Sequence, residues 1–204
     1  READGGARRR GRQQQWRIDD VFSEFDYSPL ASASIAQVHR ARLASSQEQV
    51  AVKVMHRGIA ATFREDLSRA VIIARVASWL NSDYGTMLTV LETWRSEIEQ
   101  ELNFTNEASN LKRVRANMIE RHGAKVVVPR VIDELVSPVC FAMEFIDDCI
   151  KLNDRPALSL HNVDEGALLE TIVHVWCCQL FQDNFANADP HPGNVLVKLT
   201  GEGA

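Results

Sequence analysis

The stretch FANADPHPGNVLV, Phe185 to Val197, decides how the rest of the chain is read. From Asn187 to Asn194 it holds two Pro, one Gly, one Asp, one His and two Asn in eight positions, then turns into an apolar, β-branched run. An ordinary turn needs one or two such residues. The prolines fix φ and stiffen the link between Asp189 and Asn194, which stand five positions apart.

That spacing has a chemical reading. Phosphoryl transfer needs a carboxylate to orient or deprotonate the attacking group, and an amide oxygen to hold a metal that bridges the phosphates. Kinase catalytic loops place an Asp and an Asn at D-x-x-x-x-N, after a helix and before a strand. Both flanks are present. The pattern DEGALLETIVHVWCCQLFQDN, residues 164–184, predicts a helix with an acidic start, and NVLVK predicts a short strand.

Working outward, the next element is VAVK, ending at Lys53. A strand Lys becomes a phosphate-binding candidate when three things accompany it: a small-residue loop before it, a helix Glu after it and a catalytic loop later. The loop is LASASIAQVH, which contains no Gly. Ala and Ser do not reach positive φ freely, so this loop is stiffer than a glycine-rich one. Four acidic residues, Glu97, Glu99, Glu101 and Glu107, are candidates for the ion pair, and spacing does not choose among them. MEFID, Met143–Asp147, reads either as an edge strand or as a hinge between lobes.

The remaining chain supplies an α+β frame. Residues 25–56 read as two or three antiparallel strands around an ASSQEQ turn. Phe63, Leu67, Val71, Ala74 and Trp79 predict a helix over 60–81, and apolar positions from Leu91 to Met118 predict one longer helix ending near Gly123. AKVVVPRVIDEL and PVCFAMEF return to strand character. Residues 1–17 carry six Arg and three Gly and read as a disordered basic arm. Residues 18–146 then form an N-terminal lobe, and 147–204 the start of a helical C-terminal lobe. The 204 residues hold 45% hydrophobic and 25% charged residues at net charge −5, an ordinary globular mix that gives no reason to expect nucleic acid as a partner. No apolar run reaches the about 18 residues of a membrane span. The four cysteines read as free buried thiols, and the six histidines show no paired metal-ligand spacing.

In this order, PLASASIAQVHRA, VAVKV, ELNFTNEASN, VPRV, MEFID…LND and ADPHPGNVLV resemble the UbiB/AarF family of AarF-domain-containing atypical kinases linked to coenzyme Q. The resemblance runs from about Val21 to Lys198. It implies a protein-kinase-like fold whose N-terminal lobe carries added helices. Ala31, Ser32, Ala33 and Ser34 would form an alanine-rich nucleotide loop, and Lys53 would contact phosphates and pair with Glu107. Glu144 and Ile146 would supply hinge contacts to adenine, Asp189 the catalytic carboxylate and Asn194 a ligand to Mg²⁺. The implied cofactors are ATP or ADP with Mg²⁺. The implied partners are a lipid or small-molecule acceptor and membrane-associated biosynthetic proteins, and the implied address is mitochondrial or plastid.

Four departures accompany the resemblance. The family's E-x-D reads Glu101-Leu102-Asn103, and on one regular helix residues i and i+2 do not share a face. Asn187 stands where the family carries His, and the K-x-G-Q segment is absent. The chain ends at Ala204, ahead of the family's second metal-binding Asp. The expectation is a kinase or ATPase-like domain truncated after its catalytic loop, with little or no catalysis of its own. The alternative is a nucleotide-binding pseudokinase or regulatory scaffold.

Overall fold

The computed structural model describes residues 17–186 and 191–199. The expected basic arm (apart from Arg17), Asn187 and Asp189 lie outside the described residues. After the short helix α1 (Ile18–Val21), the chain enters β1 (Phe22–Phe25), β2 (Ala31–Ser32), β3 (Ala36–Leu43) and β4 (Gln49–Met55). Helices α2 (Ile59–Leu80), α3 (Gly85–Glu101) and α4 (Phe104–His122) follow. Strands β5 (Val131–Val136), β6 (Cys140–Glu144) and β7 (Cys149–Lys151) precede α5 (Arg155–Leu160), α6 (Glu165–Phe181) and β8 (Leu196–Lys198). The α+β, kinase-like N-terminal lobe expected from sequence is therefore present.

An antiparallel sheet of order β1-β3-β4-β6-β5, with β2 on β3, is the frame, and β7 pairs separately with β8. Its strands bury side chains on both faces. Ala36, Met55 and Phe141 pack with Leu102, Phe104 and Ala108 beneath α4. Ala41, Val50, Val52, Ile132 and Ala142 pack on the other face with Phe22 and Phe25. Burial on two faces explains why VAVKV is nearly continuous in apolar character rather than alternating.

Between β4 and α4 stands the α2–α3 hairpin. Gly58 begins it at φ 79, a left-handed conformation that suits Gly, and a Cβ there would meet nothing within 4 Å. Leu67, Val71 and Ala74 form its buried stripe. Trp79 was expected on that stripe but is 85% exposed. Five residues beyond Ala74 is about 140° off the stripe at 3.6 residues per turn.

The single helix expected from Leu91 to Met118 is two helices, α3 and α4. Asn103 breaks it in an extended conformation (φ −131, ψ 98), and its side-chain oxygen accepts from the Thr105 N–H at 3.1 Å and from the Thr105 hydroxyl at 2.7 Å. Leu102 and Phe104, on either side, are both buried. The cap supplies an orphan amide with a partner while two apolar anchors hold the bend in the core. The same break resolves the difficulty at Glu101 and Asn103, since the first ends α3 and the second starts α4. Asp164 caps α6 as its acidic start suggested, accepting from Gly166 and Ala167 at 2.9 and 3.0 Å. The cysteines depart from expectation: Cys178 is buried, Cys140 and Cys149 are half-buried and Cys177 is exposed. Neighbours on a helix point about 100° apart, so an adjacent pair cannot share one environment.

Candidate nucleotide site

One row crosses the sheet. Ala31 pairs with Val38, Val38 with Lys53 and Lys53 with Phe141. Directly opposed residues share a face, so Lys53 points toward the same side as Phe141, the side that α4 covers. The Lys53 ammonium lies 2.5 Å from the Glu107 carboxylate. It also lies 5.1 Å from the centroid of the Phe104 ring, which stands edge-on to Phe141 at 6.0 Å. Lys53 is thus held by a charge on one side and an aromatic face on another. Glu107 sits in the first turn of α4, where the helix dipole favours a carboxylate. Of the four acidic candidates, the structure joins Glu107 to Lys53, while Glu99 forks onto Arg64 from the outer hairpin at 2.8 and 2.9 Å.

The small-residue loop lies two strands away. Ala31, Ser32, Ala33 and Ser34 are exposed. Leu30 N–H donates to Val38 O at 2.8 Å and Ala33 N–H to Ala36 O at 2.8 Å, which closes a tight hairpin. None of these residues adopts a positive φ, so the turn needs no Gly. From the end of β4, His56 pins it through Nε2–H to Ala33 O at 3.0 Å and N–H to Ile35 O at 2.9 Å.

At the other end of β6, the Glu144 N–H donates to Arg130 O at 2.8 Å and its carboxylate accepts from Arg130 N at 3.1 Å. These bonds engage the N–H and the carboxylate of Glu144 within the sheet, and Ile146 follows two residues beyond the end of β6. The Arg40 guanidinium lies 4.9 Å from the Phe145 ring beside it.

Asn194 ends a 3-10 turn, Pro192–Asn194. Its N–H donates to His191 O at 2.9 Å, and the His191 ring accepts from Gly193 N–H at 3.0 Å. The β7–β8 ladder and the Leu152 N–H to Val195 O contact at 3.4 Å fix this turn to the chain after the hinge. A Mg²⁺ ion takes hard oxygen ligands in octahedral geometry, usually one or two carboxylates plus phosphate oxygens. Asn194 offers such an oxygen, and no cluster of three or more His, Cys, Asp or Glu that could hold a metal occurs among the described residues.

Sequence reasoning missed Phe104 beneath Lys53, although it stands within the quoted ELNFTNEASN. It also missed Arg113, Arg121 and Asp183, which join α4 to the end of α6. No local pattern marks these, because the partners are 61 or more positions apart. No helix among the described residues is long and apolar enough to cross a membrane.

Comparison with known proteins agrees with this arrangement. Residues 11–203 match the ABC1 atypical kinase-like domain. The chain is 36% identical over 184 residues to the probable protein kinase UbiB of Pseudomonas fluorescens, covering 89% of this chain and 34% of the relative. It is 34% identical over 181 residues to that of Tolumonas auensis, covering 88% and 33%. It is 36% identical over 185 residues to that of Shewanella woodyi, again 88% and 33%. The chain thus spans about a third of the length of these relatives. With a kinase-like sheet, a strand Lys paired to a helix Glu and a match over nearly its whole length, the chain belongs to the ABC1 atypical kinase-like domain family.

Proposed function

We propose that this domain binds an adenine nucleotide with Mg²⁺ and, in the whole protein, transfers or hydrolyses the γ-phosphate. The observation that carries the reading is the Lys53–Glu107 pair at 2.5 Å, set between the sheet and the first turn of α4. A carboxylate on a helix holds the ammonium in one place, so that it can meet phosphate oxygens without a further ordering cost. The exposed hairpin from Ala31 to Ser34 lies beside the same row and would cover the phosphates. Glu144 and Ile146 would offer hinge backbone contacts to the base. Asn194 supplies an oxygen toward the metal, and Asp189 the carboxylate that orients the attacking group. Mg²⁺, when bound, neutralises charge on the phosphates and on the leaving oxygen. By the family resemblance, the acceptor is a lipid or small molecule connected with coenzyme Q. The relatives' names, probable protein kinases, support phosphoryl transfer as the chemistry.

The test is thermal unfolding with ATP or ADP, with and without Mg²⁺. A ligand at 100 times its Kd stabilises by about 2.7 kcal/mol. A Mg²⁺-dependent rise in Tm that Lys53→Met abolishes is the expected result. No shift at millimolar nucleotide overturns the reading.

A further inference from the structure

Helix α4 does two jobs at its two ends. Its first turn carries Glu107, the partner of Lys53. Its later turns carry Arg113 and Arg121, which reach the segment just after α6 and just before the catalytic loop. Arg121 Nη2 lies 2.5 Å from Asp183 Oδ1, and Arg121 Nη1 donates to Gln182 Oε1 at 2.9 Å. Arg113 Nη2 donates to Asp183 O at 3.5 Å, and its guanidinium lies 4.1 Å from the centroid of the Phe185 ring.

The segment so held is itself constrained. Gln182 and Asp183 N–H both donate to Cys178 O, at 3.0 and 3.1 Å, and Phe185 N–H donates to Gln179 O at 3.1 Å. Asn184 takes a left-handed conformation, φ 46, a common way to end a helix. The Asp183 side chain is only 3% exposed, and its Oδ2 meets no hydrogen-bond partner among the described residues. A buried carboxylate served by one guanidinium is a poor source of stability compared with an apolar pair of the same shape. What it does is fix direction: separating Asp183 from Arg121 would leave a buried carboxylate without its counter-charge.

We propose that Arg121 and Asp183 are positioning residues that lock the approach to the catalytic loop onto the helix bearing Glu107, so that phosphate positioning and loop placement move as one body. The proposal rests on the nucleotide reading above for its catalytic consequence. Its mechanical part does not.

The test uses the full-length protein. Arg121→Ala is expected to lower kcat at least about 10-fold while KM for ATP stays within about 3-fold, the signature of a group that acts in the transition state and not in ground-state binding. Arg121→Lys, which keeps the charge, is expected to recover kcat to within about 3-fold of wild type. Hydrogen exchange supplies a readout without substrate. Lys53→Met, which frees Glu107, is expected to raise exchange at residues 182–186 in wild type, and to add nothing in the Asp183→Asn background, while β3 and β4 exchange as before. An unchanged kcat in Arg121→Ala overturns the proposal, and so does exchange at 182–186 that ignores Lys53→Met. A wild type that neither binds nor turns over nucleotide overturns the nucleotide reading instead, and the exchange measurement then decides the coupling alone.

Discussion

The Lys53 ammonium is 2.5 Å from the Glu107 carboxylate and 5.1 Å from the centroid of the Phe104 ring, so residues 54 positions apart meet over one aromatic face. The pair is partly open to water, with side-chain exposures of 23% for Lys53 and 43% for Glu107. Its stabilising effect is correspondingly small. Lys53→Met is expected to change folding stability by no more than about 1 kcal/mol, since Glu107 retains solvent and the Met packs on Phe104. In the full-length protein, the nucleotide-dependent activity proposed above is expected to fall by about 100-fold or more. Urea unfolding alongside an ATPase assay checks this. A loss of stability that accounts for the loss of activity would contradict it.

Phe104 carries the opposite balance. It is fully buried between Phe141, Ala108 and Leu102, at the base of the site. Phe104→Ala is expected to cost about 3–5 kcal/mol through lost burial and a residual cavity. Denaturant midpoints measure it, and a cost below about 1 kcal/mol would show that the core collapses around the gap.

Asn103 caps α4 through Thr105, so its replacement acts on the helix that carries Glu107. Asn103→Ala is expected to cost about 1 kcal/mol, whereas Asn103→Asp should be neutral or slightly stabilising beside the positive helix start. Equal losses in both variants, read from thermal unfolding, would remove capping as the reason for the break between α3 and α4.

Acid should loosen the outer hairpin. The Glu99 carboxyl is held below its ordinary range chiefly by its hydrogen bond from Arg64; slight burial opposes this, and the charges of Arg64 and Arg95 help. A carboxyl lowered in the folded state contributes stability above its unfolded value and loses it as pH falls through the folded one. Exchange at α2 and α3 is therefore expected to rise on acidification below the ordinary glutamate range, and Glu99→Gln should flatten that response. The group is exposed, so the global Tm should hardly move.

Thiol alkylation should sort the cysteines by environment. Cys177 is exposed and Cys178 beside it is buried. The Cys149 thiol is pushed up chiefly by burial, with Asp147 and Asp148 adding and Lys198 opposing. Near neutral pH, iodoacetamide is expected to label Cys177 first and Cys149 late, because the thiolate is the reactive form. Peptide mass spectrometry of partial reactions gives the order. Early labelling of Cys178 would mean that α6 opens locally.

Most of the frame was legible because it rests on local signals. The periodicity of Leu67, Val71 and Ala74, the acidic cap at Asp164 and the β-branched runs of β3 and β4 each depend on neighbours a few positions away. Where local reasoning failed, a non-local force had won. Leu102 and Phe104 carry apolar periodicity across Asn103, and only their common burial shows that two helices meet there. Asp154 followed by Pro156 starts α5 with a cap accepting from Ala157 at 3.2 Å, a signal present in the sequence but short enough to pass unread.

Residue types and their spacing set the chemistry on offer: a strand Lys, a glycine-free small-residue loop, several helix carboxylates, and Asp and Asn at a spacing suited to phosphoryl transfer. These are statements about residue type and distance along the chain. The tertiary structure decided which carboxylate meets Lys53, what lies beneath it, and that the same helix reaches Asp183. The reason is physical. A helix chooses its ion-pair partners by which of its faces the core buries, and α4 is oriented by Phe104 and Ala108 pressing onto Phe141, a contact between segments that no local pattern connects.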